Sequence, residues 1–326
     1  MRKATFLPLA LLLGILPAFA RAQEVGDTVI VARDAELKIG DDVLSTIPAG
    51  QGLKVLNVDG DWLWVSRGAM GWINKQFVTS ASEALEAYTE QIRQSPRDAQ
   101  AYVARGLVWE SKGELDIAIL DYSEAMRLNS RVENALYNRG NAWMRKGDYD
   151  KAIADFDEMI EGNLRLGDAC NSRGTAWYYK RDYNRALADY NEAIQHNPKS
   201  ANAWCNRGNT RYQRGEYSQA IADCTEAIRL DPRFANAYWT LAGLYANCPD
   251  PTYRSLARAI ENASKACELA SWSDGTRLAT LAAVYAQGGN FADAVKWQSR
   301  AVQFSEPRQK AAFQARLDLY KARKVN

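Results

Sequence analysis

The sequence predicts a small strand-built domain followed by an all-α repeat solenoid, and three observations predict it. Glycines stand at 106, 140, 174 and 208, each 34 residues after the last, and a fixed period of this size marks stacked two-helix units. Within one period the apolar residues follow helical spacing twice, with a glycine between the two runs. Residues 24 to 80 instead alternate short apolar runs with Gly, Pro and Asp turns, the pattern of strands.

In chain order, Arg2 and Lys3, an apolar run from Phe6 to Leu16 and then Ala20-Arg21-Ala22 have the three-part layout of a secretory signal peptide. Residues 1–22 are expected to be that segment, with cleavage before Gln23. The run is shorter than the ~20 residues of a spanning helix, so no membrane insertion is expected after cleavage. With 326 residues, 47% hydrophobic and 25% charged, the chain is an ordinary folded protein. Removing Arg2, Lys3 and Arg21 leaves 38 Lys+Arg of 41 against 39 acids. No global basic bias suits nucleic acid, and no cysteine near the cleavage point offers a lipid attachment site.

The segment 24–80 holds Thr28-Val29-Ile30-Val31 and Leu53-Lys54-Val55-Leu56, punctuated by Gly40-Asp41, Pro48-Ala49-Gly50 and Asp59-Gly60. Its order of Leu37, Val43, Ile47, Gly50, Asp61-Trp62-Leu63-Trp64-Val65 and Gly71-Trp72-Ile73 resembles a bacterial SH3-like (SH3b) domain. The resemblance implies a small curled β-barrel that binds peptides or cell-wall fragments at a bacterial envelope, hence a periplasmic or envelope location. Trp62, Trp64 and Trp72 have two readings: core rings of a small domain, or an exposed ligand platform.

Ser80-Ala81-Ser82-Glu83 is a capping box that starts a helix without a linker. That helix, residues 82–96, carries Ala84 and Tyr88 and matches the second half of a repeat. In the clearest unit Leu136, Gly140 and Trp143 share one helix face, and Tyr149, Ala152, Ile153, Phe156 and Ile160 share the next. Gly147 suits the left-handed helix end between them, and Gly113, Gly215 and Gly289 repeat it. Gly140-x-x-Trp143, Ala152-x-x-x-Phe156, Pro198 and Pro232 resemble the tetratricopeptide repeat. Repeats are expected near 99–132, 133–166, 167–200, 201–234, 235–270 and 275–306, within a solenoid spanning 81–306. The fifth is interrupted at Asn247-Cys248-Pro249-Asp250-Pro251, since two close prolines cannot sit in a continuing helix, and resumes around Ala259-Ile260. Residues 307–326 form a capping helix, with Phe313, Leu317 and Tyr320 on one stripe and Arg308, Lys310, Arg316 and Lys321 on the other face.

One departure from the family is systematic. Arg105, Arg139, Arg173 and Arg207 precede the glycine where the family usually carries leucine, and Asp121, Asp155, Asp189 and Asp223 follow 16 residues later. Where the arginine is replaced, by Leu241 and Leu281, the acid is too, by Asn262 and Trp297. A bidentate ion pair between the two helices explains this, as does plain duplication of one unit.

Candidate chemistry is sparse. The one histidine, His196, stands at a helix end. No His/Cys/Asp cluster has metal spacing, and no glycine-rich loop follows a strand to cradle phosphate. Glu124, Glu158, Glu192 and Glu226 recur with the period, as a solvated face would. The sequence therefore points to no enzyme, no cofactor and no metal. Of the five cysteines, Cys170 and Cys224 occupy repeat-interior positions, while Cys248 and Cys267 sit in one irregular repeat and are the pair to consider for a disulfide.

The residues singled out for function are asparagines. Asn134, Asn138 and Asn141 lie at i, i+4 and i+7 on one first helix, Asn202, Asn206 and Asn209 repeat the pattern, and Asn171, Thr175 and Tyr178 continue the row. Asparagine is a poor helix former, so the stripe departs from local preference several times over. The family resemblance implies that this face lines a concave groove, where such ladders hold the backbone of an extended peptide. A carboxamide supplies donor and acceptor together, and Tyr137, Tyr178 and Tyr212 add flat contact area. Duplication of a solvated face would produce the same ladder. The expected function is a non-enzymatic protein-interaction scaffold that binds an extended polypeptide, with the barrel as a second module. A cell-wall targeting subunit and an enzyme with an unrecognised site are the alternatives.

Overall fold

In a computed structural model of the chain, residues 24–325 are described apart from 25, 41, 48, 68, 130–132 and 306. The expected signal peptide and its cleavage point lie outside the described residues. The chain divides into two compact units, split between Leu164 and Arg165.

The first unit begins with seven strands among the described residues: β1 Thr28–Val31, β2 Ala35–Ile39, β3 Asp42–Ile47, β4 Gly52–Asp59, β5 Trp62–Arg67, β6 Ala69–Asn74 and β7 Val78–Ser80. They form one antiparallel sheet in the order β3-β2-β6-β5-β4-β1-β7. Alternation decides its inner face: Val29, Val31, Leu37, Leu53, Val55, Leu63, Val65 and Ile73 make one buried cluster. The sheet does not close on itself, since β3 and β7 are its two edges. At the β7 end a helix replaces closure, because Ser80 ends the strand and caps α1, Ala81–Gln94. The capping box forms as expected. The Ser80 hydroxyl accepts from the Glu83 amide at 3.2 Å, and the Glu83 carboxylate accepts from the Ser80 amide at 3.0 Å and the Thr79 hydroxyl at 2.7 Å. Ile30 of β1 packs with Ala84 and Tyr88 of α1 and with Val108 of the next helix, so sheet and helices share a core. There burial pushes the Tyr88 hydroxyl up to about 12.

Helical hairpins follow in both units. The first holds α2 Ala99–Ser111, α3 Leu115–Leu128, α4 Glu133–Lys146 and α5 Tyr149–Glu161. The second holds α6 Leu166–Tyr179, α7 Tyr183–His196, α8 Ala201–Gln213, α9 Tyr217–Leu230, α10 Ala235–Asn247, α11 Leu256–Leu269, α12 Gly275–Gln287, α13 Phe291–Gln303 and the closing α14 Pro307–Lys321. The fold class is the expected one, a β module followed by an all-α tetratricopeptide-repeat solenoid. The periodic glycine has a steric cause: a Cβ on Gly106 would lie 2.6 Å from the Tyr122 ring, and one on Gly140 2.8 Å from the Phe156 ring. Inside the fifth hairpin, between Asn247 and Leu256, the chain leaves the helix as the prolines require and makes a 3-10 turn at Pro251–Tyr253, held by Arg254 on the carbonyls of Cys248 and Pro249.

The Arg–Asp pairs are contacts rather than relics of duplication. Nε and Nη2 of Arg105, Arg139, Arg173 and Arg207 donate to the two carboxylate oxygens of Asp121, Asp155, Asp189 and Asp223 at 2.6–3.0 Å. Each pair bolts the two helices of a hairpin together beside its glycine. A further donor was not foreseen. Nη1 of Arg105, Arg139 and Arg207 reaches back one helix to Thr89 at 3.3 Å, Ser123 at 3.1 Å and Asn191 at 2.7 Å. One guanidinium therefore joins its own hairpin to the preceding helix. In the fifth repeat Leu241 is buried instead, and Asn262 bonds to its own helix at the Arg258 carbonyl.

All five cysteines are free and buried. Cys248 ends α10 while Cys267 lies in the last turn of the antiparallel α11, packed with Ala242 and Leu278. The two sit at opposite ends of their hairpin.

Candidate functional site

Two surfaces contain the predicted residues, and each is described within its own unit. In the first unit α4 presents Asn134 to solvent and leaves Tyr137, Asn138 and Asn141 half-buried. The Tyr137 ring leans on Phe156 at 6.2 Å, while Ala135, Leu136 and Ala142 take the buried side. The carboxamides of Asn134, Asn138 and Asn141 hold no hydrogen bond among the described residues.

In the second unit α6 and α8 bring their asparagines together: the Asn206 amide donates to the Asn171 side-chain oxygen at 3.0 Å. Asn202 is exposed and Asn209 half-buried, and among the described residues neither carboxamide is hydrogen-bonded. Thr175 faces inward. Its hydroxyl donates to the Asn171 carbonyl at 2.9 Å and accepts from the Tyr190 hydroxyl at 3.2 Å. Tyr178 packs on Tyr179 and Tyr183, each at 5.7 Å. Tyr212 packs at a tilt against Tyr217 at 5.7 Å, which meets Tyr253 at 5.6 Å, and the Tyr212 hydroxyl donates to the Asn247 carbonyl at 3.4 Å. Tyr183, Tyr217 and Tyr253 were not anticipated, because two open second helices and the third lies in the interrupted loop. Beside that loop Tyr245, Ala246, Asn247, Arg254, Leu256 and Gln287 line a cleft of about 590 Å³. The Pro249/Pro251 interruption was its only trace in the sequence.

The tryptophans share the outer face of the sheet. Trp64 pairs directly with Trp72 across β5 and β6, and Trp62 with Asn74, so all three point away from the Leu63 and Val65 side. The Trp64 and Trp72 rings lie 5.2 Å apart at 60°, and Trp62 is 40% exposed. Lys38, Asn57 and Asp59 stand opposite Trp72, Trp64 and Trp62 on the flanking strands.

Among the described residues, reactive groups are not assembled. His196 is a surface residue 3.9 Å from Glu192. Burial pushes the thiols of Cys170 and Cys267 up to about 12, out of nucleophilic range at neutral pH. Cys205 and Cys224 touch across the α8–α9 hairpin; that contact draws Cys205 down and holds Cys224 well up. Among the described residues no His/Cys/Asp/Glu group is placed to hold a metal, and no helix is long and apolar enough to cross a membrane.

Family models agree with this architecture. Tetratricopeptide-repeat models match residues 133–161 and 201–234, 174–213, and 80–130, so the helical region contains tetratricopeptide repeats between residues 80 and 234. These are repeat families rather than enzyme families. The matches begin at Ser80, so the SH3-like resemblance of residues 24–80 rests on its residues alone. No curated protein matches the chain. Among solved structures, a tetratricopeptide repeat protein from Parabacteroides merdae is similar with a TM-score of 0.61 and 20% identity over 74% of this chain and 92% of that one. The APC/C hetero-tetramer Cut9–Hcn1 gives a TM-score of 0.62 and 13% identity over 74% of this chain and 46% of that one. This chain spans about half of that subunit, and the likeness is one of fold.

Proposed function

We propose that the protein is a non-enzymatic scaffold that binds an extended polypeptide along the first-helix faces of its repeats. Tetratricopeptide repeats are folds of protein-interaction scaffolds, which sets the class. The observation that carries the finer reading is the set of half-exposed carboxamides, Asn138 and Asn141 on α4 and Asn209 on α8, that hold no hydrogen bond among the described residues. A donor and an acceptor on one side chain match a peptide group whatever its side chain, and neighbouring tyrosines offer flat area. The assignment to the periplasm or cell envelope rests on the leader pattern of residues 1–22.

The test selects a binder from a library of unstructured peptides, then measures it against a variant with Asn138, Asn141 and Asn209 all changed to Ala, leaving Asn206, which holds Asn171, in place. Each lost hydrogen bond is worth about 1 kcal/mol, so affinity should fall by roughly a hundredfold or more. Helix content should hold or rise, because Ala is the better helix former. Unchanged affinity with intact helices would leave the ladder a solvated face. A second reading is favoured by the outward tryptophans: the sheet is a separate binding module for a peptide or a cell-wall fragment. Retention of the chain on purified cell wall, lost in Trp62→Ala, would support the cell-wall form.

A further inference from the structure

The fourth regular repeat departs from the other three at two positions at once. One turn before the periodic glycine stand Val103, Tyr137, Asn171 and Cys205, and 16 residues after that glycine stand Tyr122, Phe156, Tyr190 and Cys224. In the first three repeats the later position is a buried ring lying over the glycine: a Cβ on Gly106, Gly140 or Gly174 would stand 2.6, 2.8 or 3.0 Å from it. In the second repeat that ring also meets the earlier position, Tyr137 on Phe156 at 6.2 Å. The fourth repeat places Cys224 where the ring lies elsewhere, its Sγ 2.8 Å from a Cβ on Gly208. Cys205 takes the place of Tyr137. Both thiols are buried, and they meet across the α8–α9 hairpin. Gly208 lets the two backbones close up at this level, since its Cβ would also lie 3.1 Å from the Ala220 carbonyl oxygen. A disulfide needs such an approach, with its Cα atoms about 4.4–6.8 Å apart.

We propose that Cys205 and Cys224 form a disulfide site, closed by thiol–disulfide exchange with an external disulfide, which staples α8 to α9 in the place a buried ring fills in the other regular repeats. Both thiols are covered in the closed hairpin, so exchange begins while it is open. The Cys205 thiolate attacks glutathione disulfide, forms a mixed disulfide and releases one glutathione thiolate. As the hairpin closes, Cys224 gives up its proton and displaces the second glutathione. One S–S bond is formed within the chain and one is broken in glutathione disulfide, which is reduced to two thiols carrying the two protons. By contrast Cys248 and Cys267 lie at opposite ends of the α10–α11 hairpin. Asn206 and Asn209 stand on the stapled helix beside Cys205 and Gly208, yet the site stands whether or not that row holds a peptide.

The reduced, denatured full chain is refolded in a mixture of reduced and oxidised glutathione, and separately in reduced glutathione alone. Remaining thiols are alkylated under denaturing conditions, and the chain is mapped with trypsin without reduction. The oxidised chain should be lighter by two hydrogens before alkylation, keep three of its five cysteines open to alkylation, and yield residues 200–207 joined to 215–229. Hydrogen exchange of the α8 and α9 amides should slow by at least about tenfold relative to the reduced chain. In Cys205→Ser, Cys224 should remain a thiol in both buffers. The proposal is overturned if Cys205 and Cys224 are alkylated equally in the two buffers, if other cysteine pairs form as readily, if the bond leaves exchange unchanged, or if the cross-linked chain lacks the helix content of the reduced one. A chain that refolds in neither buffer is produced instead in a bacterial periplasm and in a bacterial cytosol, and mapped in the same way with the same outcomes.

Discussion

Replacing Arg139 by Leu tests the bolt that holds the first repeats together. Asp155 is 5% exposed and receives two bonds from Arg139, at 3.0 and 2.6 Å, while the third nitrogen reaches Ser123. The substitution leaves a buried carboxylate without its counter-charge, a loss of about 3 kcal/mol. Arg207→Leu should cost less, about 1.5 kcal/mol for the lost charged hydrogen bonds, because Asp223 keeps the Arg211 guanidinium at 2.7 Å. Burial already raises the Asp155 carboxyl above 3.8 despite Arg139, and the variant raises it further. A carboxyl raised in the fold favours folding fully below its unfolded value and loses that as pH rises through the folded value. The Arg139→Leu penalty should therefore be small near pH 3 and complete at neutrality. Hydrogen exchange of the α4 and α5 amides in the full chain reads the local stability, since two compact units need not unfold as one. Arg139→Leu with Asp155→Leu should recover part of the loss. A double-mutant coupling below about 0.5 kcal/mol, or equal costs for Arg139→Leu and Arg207→Leu, would refute the reasoning.

Three further outcomes are expected. Arg181 stands at φ 63° where the flanking regular repeats use Gly113, Gly147 and Gly215; a left-handed non-glycine residue costs ~1–2 kcal/mol, so Arg181→Gly should raise stability by up to about 1 kcal/mol, and a fall in Tm would contradict it. Trp62→Ala should change urea stability by less than about 0.5 kcal/mol, whereas Leu63→Ala, fully buried one residue on, should cost about 2–5 kcal/mol; equal losses would place Trp62 in the core. Hydrogen bonds from the Thr79 hydroxyl, then from the Ser80 amide and hydroxyl, hold the Glu83 carboxyl below 4.5. That stabilisation is present above 4.5 and lost as pH falls through the folded value, so the advantage of native chain over Glu83→Gln in thermal scans should shrink in acid.

What the sequence made legible follows from how strictly each position is constrained. The Arg–Asp bolt could be read because both partners vanish together at Leu241/Asn262 and Leu281/Trp297. Its reach to the preceding helix could not, since Thr89, Ser123 and Asn191 share only an accepting oxygen and differ in type. Cysteines were sought in the irregular repeat, yet it is the antiparallel packing of an ordinary hairpin that brings Cys205 to Cys224. Residue 181 was equally opaque. The repeat sets its backbone conformation, and other contacts tolerate a side chain there despite the strain.

The candidate site divides in the same way. Residue types and spacing identified the asparagine row, but the fate of each polar group depends on neighbours that no single helix specifies. Thr175 belongs to the row by spacing, and its hydroxyl is committed to Asn171 and Tyr190. Asn171 and Asn206 engage each other, while Asn138, Asn141 and Asn209 do not. A ladder made only by duplication would give equivalent asparagines equivalent surroundings. Here the copies have diverged into some that fix neighbouring helices and some that face outward without a partner among the described residues. The second group is where a peptide backbone could be held, and Asn209→Ala alone should then weaken a bound peptide more than Thr175→Val, whose hydroxyl serves the fold instead.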